Sequence, residues 1–111
     1  MIDRERIRRV ARQIGAAANA ERVVLFGSHA RGNAREDSDV DLMVAAESEL
    51  PRFKRARGLY SMLRPYPFGM DLIVCPPQEV DRGKRVPASF VSTVLREGET
   101  VYVRRGRRAS P

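Results

Sequence analysis

Residues 39–46, DVDLMVAA, are the clearest strand in the chain, opening on alternating acids and apolar side chains. Side chains in a strand point to opposite faces in turn, so Val40, Leu42 and Val44 share one face while Asp39 and Asp41 share the other. Two carboxylates at i and i+2 on one strand face have Cα atoms about 6.6 Å apart. At that separation ionised carboxylates repel, and an unpaired one tends to hold a proton. A divalent cation relieves the repulsion, and Mg2+ prefers a few carboxylates plus substrate phosphates to a full protein cage. Acids on a solvent-facing strand are nevertheless common, so this pair carries an argument only with its surroundings.

Upstream, RVVLFG at 22–27 is an apolar run ending in glycine, which reads as a strand buried on both faces. Gly27-Ser28 forms a turn at its end. Glycine lets backbone approach a phosphate, free N–H groups there bind anions, and the Ser28 hydroxyl adds a donor. Residues 28–37 are small and polar, with SHAR as a possible helical turn and Gly32 and Asn33 as breakers; Ser38 ends the loop. Asp71 opens a third apolar run, MDLIV at 70–74, and would complete a carboxylate cluster if that strand lies beside 39–46. Alone, Asp71 reads as an acid at a strand edge.

The remaining chain supplies helices. Ile7, Val10, Ala11, Ile14 and Ala18 fall at helical spacing within 3–19, with Arg6, Arg8, Arg9 and Arg12 mostly opposite. Asp3 is placed to cap that helix, Ile2 and Ile7 to staple it, and Asn19 to stop it. A second helix is expected over 48–64, capped by Ser48, admitting Pro51 in its first turn and carrying Leu50, Phe53, Ala56, Tyr60 and Leu63 as its apolar stripe. PYPFG at 65–69 breaks it. A loop from 76 leads to a helix at 87–97 ended by Gly98, followed by a short strand in TVYV. The order αβ(loop)βαβαβ argues an α/β or α+β layer, a small mixed sheet with flanking helices, whose strand order the pattern leaves open.

The chain's 111 residues allow one domain and leave no room for a separate substrate-binding domain. We expect a domain over 1–103 and a basic, disordered tail over 104–111, RRGRRASP. The charged start lacks the apolar core of a signal peptide, and no run approaches a membrane span, so a cytoplasmic location is expected. The lone Cys75 is expected as a buried, reduced thiol. A net charge of +7 suggests an anionic partner. Direct nucleic-acid binding is not expected, because the basic residues lack interleaved aromatics and any nucleic-acid motif.

Gly27-Ser28 and Asp39-Val40-Asp41 are separated by ten residues, giving G-S-x10-D-x-D. This resembles the signature of the polymerase-beta-type nucleotidyltransferase superfamily. GSHARGNAREDSDVDLMV is similar in particular to its minimal nucleotidyltransferase (MNT) branch, and VLREGETVY fits further along. The resemblance spans roughly residues 5–103, with 25–44 its specific part. It implies the polymerase-beta-type nucleotidyltransferase fold. It implies Gly27 and Ser28 as the holders of a nucleoside triphosphate, Asp39 and Asp41 as ligands of two Mg2+ ions, and Asp71 as the third acid, a metal ligand and base. Arg31, in GSHARG, would either contact phosphate or pair with a carboxylate. His29 is expected to be a solvent-exposed bystander. Such proteins resemble the antitoxins of HEPN/MNT toxin–antitoxin pairs, which implies transfer of AMP from ATP to a tyrosine of a HEPN ribonuclease toxin. Two other readings stay open: transfer to a small-molecule acceptor, and an antitoxin that neutralises its partner by binding alone.

Overall fold

A computed structural model describes residues 2–105. The first helix, α1 (Arg4–Ala18), begins where the Asp3 carboxylate accepts the Arg6 N–H at 2.8 Å and stops at Asn19, which takes the left-handed conformation (φ 50°). Then follow β1 (Arg22–Phe26), the single helical turn α2 (Ser28–Arg31) and β2 (Val40–Ala45). A 3-10 turn at Arg52–Lys54 precedes α3 (Arg57–Met62), β3 (Met70–Cys75), α4 (Pro77–Lys84), α5 (Phe90–Glu97) and β4 (Glu99–Val103).

The strands form one mixed sheet in the order β3-β2-β1-β4. β1 pairs antiparallel with β2 and β4, while β2 and β3 run parallel. Alternation splits the core in two. Val23, Leu25, Val40, Leu42 and Val44 join α1 and α3 through Ile7, Ile14, Leu59 and Leu63 on one face. Val24, Met43, Ala45 and the free Cys75 join α4 and α5 through Val80, Val91 and Val94 on the other. β1 and β2 are thus covered on both sides, as their near-continuous apolar runs predict. No helix among the described residues is long and apolar enough to cross a membrane.

Three expectations need correction. The single helix over 48–64 is two short pieces. Ser48 Oγ accepts the Leu50 N–H in a tight turn, and Pro51 is extended (φ −62°, ψ 153°). Leu50 and Phe53, 51% and 73% exposed, belong to no core stripe, whereas Ala56, Tyr60 and Leu63 do pack inward. Arg55 holds the broken segment instead, bonding the carbonyls of Leu50 and Val74 and the Glu79 carboxylate. Second, the loop expected from 76 contains α4. Pro77 stands in its first turn, where a proline costs a helix nothing because no N–H is needed there. Third, the last helix starts at Phe90, capped by the Ser89 hydroxyl on the Ser92 N–H. Of the basic tail, residues 106–111 lie outside the described residues; Arg104 bonds the carbonyls of Glu21 and Asn19.

Candidate active site

The sheet register assembles the site. Phe26, the last residue of β1, is paired with Asp41 in the antiparallel ladder, and Asp41 is paired with Asp71 in the parallel one. Gly27, Asp41 and Asp71 therefore lie side by side across one end of three adjacent strands. Asp39 precedes β2, where the Val40 N–H bonds the Gly69 carbonyl at 2.9 Å. A Cβ built on Gly27 would collide with the Asp41 carboxylate, and one on Gly69 would collide with that of Asp39. Both carboxylates rest directly on glycine backbone.

Asp41 is half-buried, while Asp39 and Asp71 are exposed. Burial, then the charge of Asp71, then that of Asp39, push the Asp41 carboxyl above its ordinary range; His29 and Arg31 oppose them. The expected mutual repulsion is thus present. Among the described residues no three acidic, histidine or cysteine side chains converge as a ready-made metal-ligand group. Asp41 and Asp71 instead occupy paired register positions, and Asp39 lies two residues ahead of Asp41. A donor set of hard carboxylate oxygens with room for phosphate oxygens fits Mg2+, which keeps part of its shell for substrate.

Gly27 opens α2 with φ 77° and ψ −156°, a conformation essentially confined to glycine. Its carbonyl accepts the N–H groups of both Ala30 and Arg31 at 3.1 Å, so Ser28 is the first residue of the turn. Arg31 is exposed, its charge acts on Asp41, and it makes no salt bridge among the described residues.

His29 is 5% exposed, not a solvent-exposed bystander. The helical turn that starts at Gly27 carries its ring inward, where Nε2 meets the Ser38 carbonyl at 3.1 Å. With Nε2 as the donor, His29 ties the Gly27-Ser28 turn to the residue before Asp39. Ser38 closes its loop as expected, bonding Arg35 through both its backbone N–H and its hydroxyl.

Tyr60 went unrecognised as a site residue. Its hydroxyl accepts the Leu72 N–H at 2.8 Å and lies 3.5 Å from the Met70 carbonyl, so it spans both neighbours of Asp71 on the open edge of β3. Burial raises its pKa first; the Leu72 N–H opposes, and Asp71, Tyr66 and Asp39 add to the rise. Tyr66 packs edge-on against it with ring centroids 6.0 Å apart. Helical spacing places Tyr60 in the core stripe and gives no sign of the β3 contact, which depends on how α3 lies against the sheet.

A family model described as a nucleotidyltransferase domain matches residues 4–103. Two proteins of Methanocaldococcus jannaschii, each named as a candidate protein adenylyltransferase, are similar to the chain. One, MJ0141, is 32% identical over 81 residues, covering 73% of this chain and 78% of that protein. The other, MJ0604, is 29% identical over 82 residues, covering 74% and 78%. Among solved structures, one named as a candidate nucleotidyltransferase from Sulfolobus solfataricus matches with a TM-score of 0.61 at 24% identity, over 91% of this chain and 84% of that one. A toxin–antitoxin complex with AMP-PNP matches with a TM-score of 0.55 at 21% identity, over 94% and 76%. A mutant MntA-HpeT toxin–antitoxin matches with a TM-score of 0.52 at 19% identity, over 94% and 75%. At these identities the structural likeness establishes the fold.

Proposed function

The chain belongs to the nucleotidyltransferase domain family, and from that premise we propose that it transfers AMP from ATP to a tyrosine hydroxyl of a partner protein, a HEPN ribonuclease toxin, and so acts as its antitoxin. The observation that carries this reading is the position of Asp41, wedged between the Gly27 backbone and the paired Asp71. Carboxylates and an anion-binding turn at one strand end suit a substrate that is both phosphorylated and metal-bound. The names of the M. jannaschii relatives support a protein acceptor, and the toxin–antitoxin structures support a toxin partner.

In this reading the Gly27-Ser28 turn holds the triphosphate and Arg31 offsets its charge. Asp39, Asp41 and Asp71 would hold two Mg2+ ions, which, when bound, stabilise charge on the entering and leaving oxygens. Asp71, kept in place by Tyr60 across its two backbone neighbours, accepts the proton of the acceptor hydroxyl. The hydroxyl oxygen bonds to the α-phosphorus, the bond to the bridging α–β oxygen breaks, and pyrophosphate leaves.

The test is transfer of label from α-phosphate-labelled ATP with Mg2+, in lysate of the source cells, with Asp41→Asn alongside. Label on one protein band, released as tyrosyl-AMP on digestion and absent with Asp41→Asn, is expected. Label on a small molecule would replace the acceptor class. A partner bound without label would leave a nucleotidyltransferase fold used for contact alone.

A further inference from the structure

A groove of about 760 Å3 runs between α1 and the segment 62–67, and none of the three site aspartates lines it. Its rim carries three guanidinium groups, Arg6, Arg9 and Arg64, and no acidic side chain lines it. Arg6 is engaged, bonding the Pro67 carbonyl at 2.9 Å and lying over the Phe68 ring. Arg9 and Arg64 are exposed and make no salt bridge among the described residues. The floor is aliphatic, with Val10 and Leu63 buried and Met62 45% exposed.

We propose that this groove docks the acceptor protein, through an amphipathic helix whose apolar ridge lies on Val10, Met62 and Leu63 and whose acidic flanks meet Arg9 and Arg64. The proposal deepens the transfer reaction above and rests on it for the identity of the docked chain as the acceptor.

Three features select this occupant. The charge is of one sign, so an acidic partner is attracted and a basic one repelled. One wall is the helix α1, with small residues at Ala16 and Ala17, the other is the end of α3 with the segment 63–67, and no sheet edge lines the groove; an added strand finds no backbone ladder there, whereas a helix meets the groove through side chains alone. The floor has no aromatic ring, whereas single-stranded nucleic acid is held by stacking bases on aromatic platforms. Met62 adds an unbranched, adaptable side chain at the contact.

Position gives the groove its use. Its wall, Pro65 to Pro67, continues through the buried Phe68 into Gly69, which backs the Asp39 carboxylate, and then to Asp71. Arg6 pins that wall to α1. A protein held in the groove therefore lies against the segment of chain that leads into Gly69 and Asp71.

The test uses the full chain and two fluorescent probes. One is a synthetic amphipathic helix with leucine at i, i+3, i+4 and i+7 and glutamate elsewhere; the other is an oligouridylate of the same net charge. Anisotropy is read for the wild type, for Arg9→Glu/Arg64→Glu in the groove, and for Arg85→Glu/Arg96→Glu on the opposite layer. The peptide should bind the wild type and the opposite-layer variant alike, and the groove variant about tenfold more weakly or less. Equal loss in both variants would mean general attraction to a cationic surface and would overturn the proposal. So would no peptide binding, or tighter binding of the oligouridylate that the groove variant alone loses. Neither probe involves ATP, so a failure here is distinct from a failure of AMP transfer.

Discussion

Replacing Gly27 by alanine puts a methyl group where the Asp41 carboxylate lies. Two costs follow. The backbone at φ 77° and ψ −156° is a glycine conformation, and holding a residue with a Cβ there costs about 1–3 kcal/mol. At about 4 °C per kcal/mol for a domain of this size, Tm should fall by roughly 4–12 °C. The second cost falls on the site. Asp41 must move off the Gly27 backbone, and a displacement of about 1 Å in a reacting constellation can lose on the order of 10²-fold in rate. Gly32 separates the two effects. It too has a positive φ, 81°, but no atom lies within 4 Å of a Cβ added there. Gly32→Ala should lower Tm by a few degrees, from about 1–2 kcal/mol of left-handed strain, and leave AMP transfer near wild type. Melting curves and label transfer on both variants decide it. Transfer retained in Gly27→Ala, or lost equally in Gly32→Ala, would refute the placement of Asp41 against the turn.

Two further outcomes concern the carboxylates. Asp41 has a folded pKa raised above its unfolded one by burial, Asp71 and Asp39, so the fold binds that proton more tightly than the unfolded chain does. The resulting stability is present at low pH and lost as pH rises through the folded value. Metal-free Asp41→Asn should therefore melt above the wild type at pH 7, with the gap closing as pH falls below the folded pKa; a variant less stable at pH 7 would contradict the repulsion. Tyr60→Phe should cost about 1 kcal/mol and lower kcat while leaving KM for ATP unchanged, since it frees the backbone on either side of Asp71 but leaves the Gly27-Ser28 turn intact. An equal change in both constants would assign Tyr60 a structural role only.

The parts of the site legible in sequence are those written locally. Gly27-Ser28, the ten-residue spacer and Asp39-x-Asp41 lie on consecutive elements joined by a short loop, so spacing and strand alternation bring them together. Asp71 was placed conditionally, and the condition is met by the parallel register of β3 on β2, which no local pattern encodes. The places of His29 and Tyr60 are not legible in sequence, because their partners, the Ser38 carbonyl and the β3 edge, are backbone groups supplied by tertiary packing. The helix expected over 48–64 breaks because the turn chemistry of Ser48 and Pro51 overrides its apolar periodicity. α4 is not legible because its run of charged and polar residues, with Val80 its one buried side chain, shows no apolar stripe.

Paramagnetic broadening tests most directly whether the turn and the aspartates form one metal–nucleotide site. Mn2+ would be titrated into isotope-labelled protein with a non-hydrolysable ATP analogue, and backbone amide signals followed. The account predicts broadening centred on Gly27, Ser28, Asp39, Asp41 and Asp71, and its loss in Asp39→Asn/Asp41→Asn. Broadening centred elsewhere, for example at Glu79 and Asp81 on α4, would contradict it.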